Sequence, residues 1–359
     1  MKILHISFIG RGDAPTGLQE AVISLSNNQR KFGNEVKVVS LSQCSKIDNV
    51  NIIYCRSSNE FRVFMLKFQP DIAVFHSLYE WEQLSYSRIL RKYNIPYILV
   101  FHGGASRDNA KKGWLKKKIA NTLFFNNFIK HASRVVYLNQ NEFLKSVFKK
   151  INNKYAIIPN GVNLPINPKP LQAIVPLKIA FVSRMDYYGK GLDILLSAIK
   201  ILKEEGWAEK IRFMFYGKGE QNVLDIITEL NPIAEYRGYV TGQSKREAFE
   251  SSCINILPSR SEGMPITILE SLSYGRPCIV TRMTNMAELM EEYGCGWVID
   301  LTVESIVTTV KEAYNELMQH NKTYQDKCKK VVIGFSWNTI AKMSIDLYDL
   351  VIQERIKLR

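Results

Sequence analysis

The feature that most constrains this chain is an alternation that runs once, stops, and starts again. Short apolar runs rich in β-branched and aromatic residues occupy 2–8, 35–40, 51–55, 71–75, 97–101, 134–138 and 156–158. Helical patterns separate most of them, at 18–32, 60–68, 84–93 and 141–149. Strands alternating with helices imply βαβ units and parallel sheets. The stretch 163–176 then carries Pro165, Pro168, Pro170 and Pro176, the composition of a semi-rigid connection. Apolar runs resume at 177–182, 211–216, 234–236, 253–257, 278–281 and 296–299. A chain of 359 residues exceeds one ordinary core, so the reading is two α/β domains. Their expected bounds are 1–165 and 177–337, with 166–176 as the linker. The last apolar pattern, Trp337 to Ile352, has helical period.

Within the second series, the segment from Pro258 to Pro277 concentrates the chemistry. A strand ends at Leu257, a polar turn covers Ser259 to Gly263, and Pro265 fits the first position of a helix over Ile266 to Tyr274. Gly275 and Pro277 stop that helix. The free N–H groups and dipole of such a helix start attract anions, which marks Gly263, Met264, Pro265 and Ile266 as candidate phosphate contacts. Two acids, Glu262 and Glu270, bracket the same turn. Carboxylates accept hydrogen bonds from sugar or ribose hydroxyls, so phosphate and hydroxyls together describe a nucleotide sugar. The plainer alternative makes Glu262 a helix N-terminal charge and Glu270 a solvent-facing residue.

Other loops point the same way. Arg184 and Lys190 flank a glycine-containing loop after the run 177–182, and two cations suit a diphosphate. Gly217 and Gly219 follow the run 211–216. His102 ends the run 97–101 ahead of Gly103 and Gly104, where parallel sheets place ligand chemistry. The loop Gly10 to Gly17 is not a dinucleotide fingerprint, because Pro15 stands at the third glycine position.

The segment S-E-G-M-P-I-T-I-L-E-S-L-S-Y-G-R-P-C-I-V resembles the Glu-x7-Glu signature of the retaining glycosyltransferases of family 4, which have the GT-B fold. Met264, Pro265 and Ser271 stand where the family usually shows an aromatic, often Gly, and Ala. Arg184, Lys190, Gly217, Gly219, Glu262 and Glu270 fall in the family's order and spacing. Pro159-Asn160-Gly161-Val162 is similar to the turn that ends the family's first domain, and Phe335-Ser336-Trp337 to the start of its last helix. The resemblance implies two Rossmann-like doubly wound domains facing across a cleft, with helix 338–359 packing back on the first. It implies a catalytic set of His102, Glu262, Arg184 and Lys190. Donor-binding residues are Gly17, Gly217, Gly219, Gly263, Met264, Pro265, Ile266 and Glu270. Thr16-Gly17 keeps one glycine of the family's pair.

Charge and composition narrow the rest. The net charge is +14, and 111–154 holds eleven Lys and Arg against the single acid Glu142. Lys111, Lys112, Lys116, Lys117 and Lys118 surround Trp114, a composition that suits an anionic headgroup boundary. No run is long and apolar enough to span a bilayer, and the first ten residues lack a cleavage site. The six cysteines form no C-x-x-C pair, so neither a disulfide framework nor a zinc site is expected. There is no D-x-D triplet, and Arg184 with Lys190 can replace a divalent ion.

The expectation is a metal-independent, cytoplasmic transferase at the inner face of the cell membrane. Its partners are a nucleotide sugar, with uridine favoured over guanosine, and a saccharide or lipid-linked acceptor of bacterial polysaccharide assembly. It needs no cofactor beyond the nucleotide-sugar co-substrate. A nucleotide-sugar epimerase or hydrolase of the same fold is the alternative. A periplasmic two-domain binding module would need a signal peptide. A nucleic-acid binder would need a base-reading motif, which the basic segment lacks.

Overall fold

The computed structural model describes residues 1–10, 16–43, 52–105 and 120–357. The basic cluster Lys111, Lys112, Trp114, Lys116, Lys117 and Lys118 lies outside the described residues. The chain divides into two compact units, Met1–Gly161 with Trp337–Arg359, and Val162–Ser336.

The N-terminal unit holds a parallel sheet of β1 (Lys2–Ser7), β2 (Glu35–Ser40), β3 (Ile52–Tyr54), β4 (Ile72–His76), β5 (Tyr97–Val100), β6 (Arg134–Tyr137) and β7 (Tyr155–Ile157). Its strand order is β3-β2-β1-β4-β5-β6-β7. The central strands are apolar on both faces, as burial under helices on both sides requires; β4 is buried throughout. The helices Gly17–Lys31, Ser58–Phe68 and Trp81–Lys92 supply part of that cover.

The helix Trp337–Lys357 belongs to this unit and packs on the helix Gly17–Lys31. Gln29 Nε2 donates to Ser344 Oγ at 2.9 Å across that contact. The Trp337 ring sits against Gly161, where a Cβ would lie 2.5 Å from the indole, so that turn needs a glycine for packing.

The second unit repeats the pattern with β8 (Leu177–Val182), β9 (Ile211–Tyr216), β10 (Ala234–Tyr236), β11 (Ile254–Leu257), β12 (Cys278–Thr281) and β13 (Gly296–Ile299). Its order is β10-β9-β8-β11-β12-β13, parallel throughout. Order reverses between β8 and β11, and ligands of such sheets bind outside the strand ends at that reversal. A 30-residue helix, Val303–Val332, kinked at His320, lies in this unit beside the helices Leu192–Glu204 and Ile266–Ser273.

The unit boundary corrects the expected linker. The proline-rich stretch is fastened to the second unit: Arg276 Nη2 donates to Lys169 O at 3.1 Å, and Leu171 is buried. The same buried guanidinium also donates to the carbonyls of Phe249, Glu250 and Tyr274. A planar, permanently charged fork can satisfy several carbonyls at once, which a lysine could not. Among the described residues, no helix is long and apolar enough to cross a membrane.

Candidate functional site

The loops that follow β8 and β11 carry the paired charges of the second unit. After β8 the chain turns through 183–191 into the helix Leu192–Glu204, capped by Gly191 at φ 70°. A Cβ on Gly191 would stand 2.0 Å from Pro258 O, so the two loops touch backbone to backbone only because residue 191 is glycine. Arg260 locks them. Its N–H donates to Gly189 O at 3.0 Å, and its guanidinium makes a two-pronged contact with Asp193 at 2.7 Å. The same guanidinium lies over the Tyr188 ring, 3.8 Å from its centre.

This frame brings Lys190 and Glu262 together, with Nζ 2.5 Å from Oε1. The buried Ser259 hydroxyl donates to the same oxygen at 2.7 Å. The Glu262 backbone is held from both sides: its N–H donates to Met283 O, and Asn285 Nδ2 donates to its carbonyl at 2.7 Å. Lys190 spends one of its three donors on Glu262, leaving two N–H groups to give an anion. Arg184 is exposed, and its side chain makes no ion pair among the described residues.

The helix Ile266–Ser273 starts at the expected residue. Pro265 is its N-cap, with ψ 119°, so the first turn offers the N–H groups of Ile266 onward. Met264 and Ile266 are buried and act as core residues at that corner. Glu270, on the next turns of the helix, pairs with Lys245 at 2.7 Å; both side chains are less than one-fifth exposed. Gly217 and Gly219 serve close packing of the β8 and β9 ends. A Cβ on Gly217 would meet Ser183 O at 1.8 Å, and one on Gly219 would meet the Met185 side chain at 2.2 Å. Gly17, in the other unit, opens the helix Gly17–Lys31 under a Thr16 cap and meets nothing within 4 Å of its Cβ position.

Lys245, Asn285 and Arg260 escaped the sequence reading. Arg260, beside Glu262 in the chain, carried a signal that residue type alone could have given. Lys245 and Asn285 reach the site from another helix and another turn, 25 and 23 residues away from their partners, and carried none.

In the N-terminal unit, His102 follows β5 with φ 49°, in a turn closed by Gly104 N donating to Phe101 O. Three adjacent strands place three histidines in a row. His102 Nε2 lies 2.9 Å from His76 Nδ1, and His76 Nε2 lies 2.8 Å from His5 Nδ1. His5 Nε2 lies 2.7 Å from Gln29 Oε1. Burial lowers the pKa of His5 and of His102 to about 4, and His76, flanked by both, goes well below its usual value. The row is therefore neutral near pH 7.

Beneath it, the buried Glu142 accepts from Gly103 N at 2.6 Å and from Leu138 N at 2.7 Å. Burial raises its pKa to about 7, against the pull of those two N–H groups. A cavity of about 30 Å³ adjoins the histidines, lined among others by Asn160, Trp337, Ser344 and Tyr348. It has room for water but not for a sugar.

The Lys190–Glu262 and Lys245–Glu270 pairs at a sheet reversal describe a site for a ligand with anionic and hydroxyl parts. Two family models match the chain: Glycosyltransferase Family 4 over residues 15–165 and Glycosyl transferases group 1 over 176–316. The chain belongs to glycosyltransferase family 4 and has the GT-B fold of two Rossmann-like sheets.

Among its relatives is the putative colanic acid biosynthesis glycosyltransferase WcaL of Escherichia coli, 28% identical over 41% of this chain and 38% of the relative. The chain spans between 38% and 58% of the length of the first curated relatives it matches. A glycosyltransferase crystal structure from Rickettsia africae superposes with a TM-score of 0.74 at 18% identity, covering 98% of each chain. HepE of Anabaena, solved with UDP and glucose, superposes with a TM-score of 0.71 at 13% identity, over 97% of this chain and 99% of HepE.

Proposed function

We propose that this protein transfers a sugar, with retention of anomeric configuration, from a nucleoside-diphosphate sugar to a saccharide acceptor of surface polysaccharide assembly. The observation that carries the reading is the Lys190–Glu262 pair, held rigidly by Ser259, Asn285 and Arg260 at the reversal between β8 and β11. Family membership and the polysaccharide role in the name of WcaL support it. The UDP bound in the HepE crystal structure supports a uridine nucleotide as donor.

In this reading Arg184 and the two remaining Lys190 donors stabilise charge developing on the departing diphosphate. The helix start at Pro265 and Ile266 adds to that field. Glu262 accepts hydrogen bonds from hydroxyls of the transferred sugar. Glu270 accepts them from the ribose, with Lys245 orienting its carboxylate. His102 is the group that the N-terminal unit contributes to the reacting sugar. The cations do the work of a divalent ion, which the missing D-x-D triplet supports, and no further cofactor takes part. The acceptor is lipid-linked, and the cluster around Trp114 docks the protein on an anionic membrane surface at the cytoplasmic face.

A panel of uridine and guanosine diphosphate sugars tests this, read as nucleoside diphosphate release with and without a lipid-linked saccharide and with and without EDTA. Release that depends on the acceptor and survives EDTA is expected. Interconversion of donor sugars without release would make the protein an epimerase. Activity lost in EDTA and restored by manganese would remove the metal-independent mechanism.

A further inference from the structure

The row His102–His76–His5 ends on Gln29, whose amide is oriented by its second contact, with Ser344. Ser344 Oγ donates its proton to Ala341 O at 2.7 Å, so toward Gln29 that oxygen accepts. Gln29 then turns its amide N–H toward Ser344 and its carbonyl toward His5, with the Tyr348 hydroxyl in hydrogen-bond reach of both Gln29 and Ser344. An amide carbonyl only accepts, so His5 carries a proton on Nε2. A neutral imidazole has one N–H, which leaves His5 Nδ1 as an acceptor. His76 must then donate from Nε2, and its Nδ1 becomes an acceptor in turn. His102 must donate from Nε2, and its Nδ1 keeps a lone pair. That nitrogen has no hydrogen bond among the described residues.

We propose that Gln29, acting through the positioning residues His5 and His76, fixes His102 as the tautomer protonated on Nε2, so that Nδ1 accepts a hydrogen bond from a substrate hydroxyl. This rests on the assignment of His102 to the reaction. Strand register makes the row continuous: β1 lies beside β4 and β4 beside β5, and each contributes one histidine at or just past its length. Gln29, His5 and His76 are buried, so water does not compete for their polar atoms.

Two consequences follow. A lone pair on Nδ1 suits an O–H group and repels a phosphate oxygen, so His102 selects the sugar side of the substrates. The row also ends at a carbonyl that cannot take up a proton, so it orients His102 and exports nothing. The charged group nearest its far end, Arg30, disfavours a positive charge on His5, and Tyr348 closes the contact with Gln29 and Ser344. At the near end Glu142 holds the Gly103 peptide that follows His102.

The test is a nitrogen-detected NMR spectrum of the full chain with 15N-labelled histidine, assigned with His102→Ala. His102 is expected as a single neutral tautomer protonated on Nε2 from pH 8 to pH 5.5. In Gln29→Met its signals should move toward a mixture of tautomers. Turnover should fall roughly tenfold, the worth of one hydrogen bond, with the donor KM unchanged. Adding His102→Ala to Gln29→Met should cost no more than His102→Ala alone. A wild-type His102 protonated on Nδ1, or averaging between tautomers, overturns the proposal even if Gln29→Met fails to fold. So does a Gln29→Met spectrum identical to wild type. Full transfer in His102→Ala would instead remove His102 from the reaction and leave the tautomer intact.

Discussion

The two sheets end in opposite electrostatic styles. In the N-terminal unit the polar groups are neutral and serially hydrogen-bonded, His5, His76 and Gln29 buried and His102 half-buried. At the strand ends of the second unit they are charged and paired: Lys190 with Glu262, Lys245 with Glu270, Arg260 with Asp193. One βαβ scaffold thus carries two kinds of site. A pair already ionised at a partly exposed rim can take on an anionic ligand by sharing its donors. A buried neutral row would have to charge first, and burial opposes that. In the proposed function this difference matches a diphosphate at the second unit and hydroxyl recognition by His102.

The largest effect is expected from breaking the paired style. Glu262→Ala should lower transfer by about 10- to 150-fold, since each charge-assisted hydrogen bond contributes roughly 1.5–3 kcal/mol. Lys190→Met should cost a similar factor, and the double variant much less than the two together, because the residues form one unit. Single-turnover rates for the three variants measure this; strictly additive losses would mean that the pair is incidental.

The second prediction concerns acid, which should act on one unit and spare the other. His5 titrates near 6.5 when unfolded and at about 4 when folded. Its contribution is complete above pH 6.5 and is lost as pH falls toward 4, at about 1.4 kcal/mol per pH unit. His76 acts with the same sign. Glu142 opposes them: its folded pKa of about 7 lies above the unfolded value, so it favours the fold as pH falls from 7 to 4.5. His102, lowered to about 4 as well, adds to His5 and His76, and three histidines outweigh one carboxyl. Protection factors from hydrogen exchange should therefore fall between pH 7 and 5 in β1, β4 and β5, and not in β8 and β11. The sole histidine of the second unit, His320, is exposed. Equal responses in the two sheets would end the comparison.

The smallest expected effect is on donor affinity. Glu270→Gln keeps the shape but removes the charge that faces Lys245, and UDP binding should weaken by a few-fold to about tenfold with turnover little changed. Calorimetric titration measures it. A fall in turnover at constant affinity would move Glu270 from the ribose to the reacting end.

The amino-acid pattern made the two-sheet architecture legible, because short apolar runs between helical patterns leave a chain few ways to bury both faces. It also marked Arg184, Lys190, Glu262 and Glu270 as candidates, since all four lie in strand–loop–helix corners whose local pattern is legible. It left the helix Val303–Val332 without a place, although Ile306, Val310, Ala313 and Leu317 keep helical spacing in its first half; the kink at His320 breaks the period. It put the first division of the chain in the prolines and the second after residue 337; the first instead falls at Gly161, because buried Arg276 holds Lys169 to the second unit.

Which charges face each other is set by long-range packing. Lys190 and Glu262 are 72 residues apart, and no local pattern distinguishes two cations near a phosphate from a cation paired with an acid. It alone made a row of His5, His76 and His102, whose separations of 71 and 26 residues carry no period. Strand order, β1 beside β4 beside β5, is a property of long-range pairing, and the tautomer of His102 depends on it.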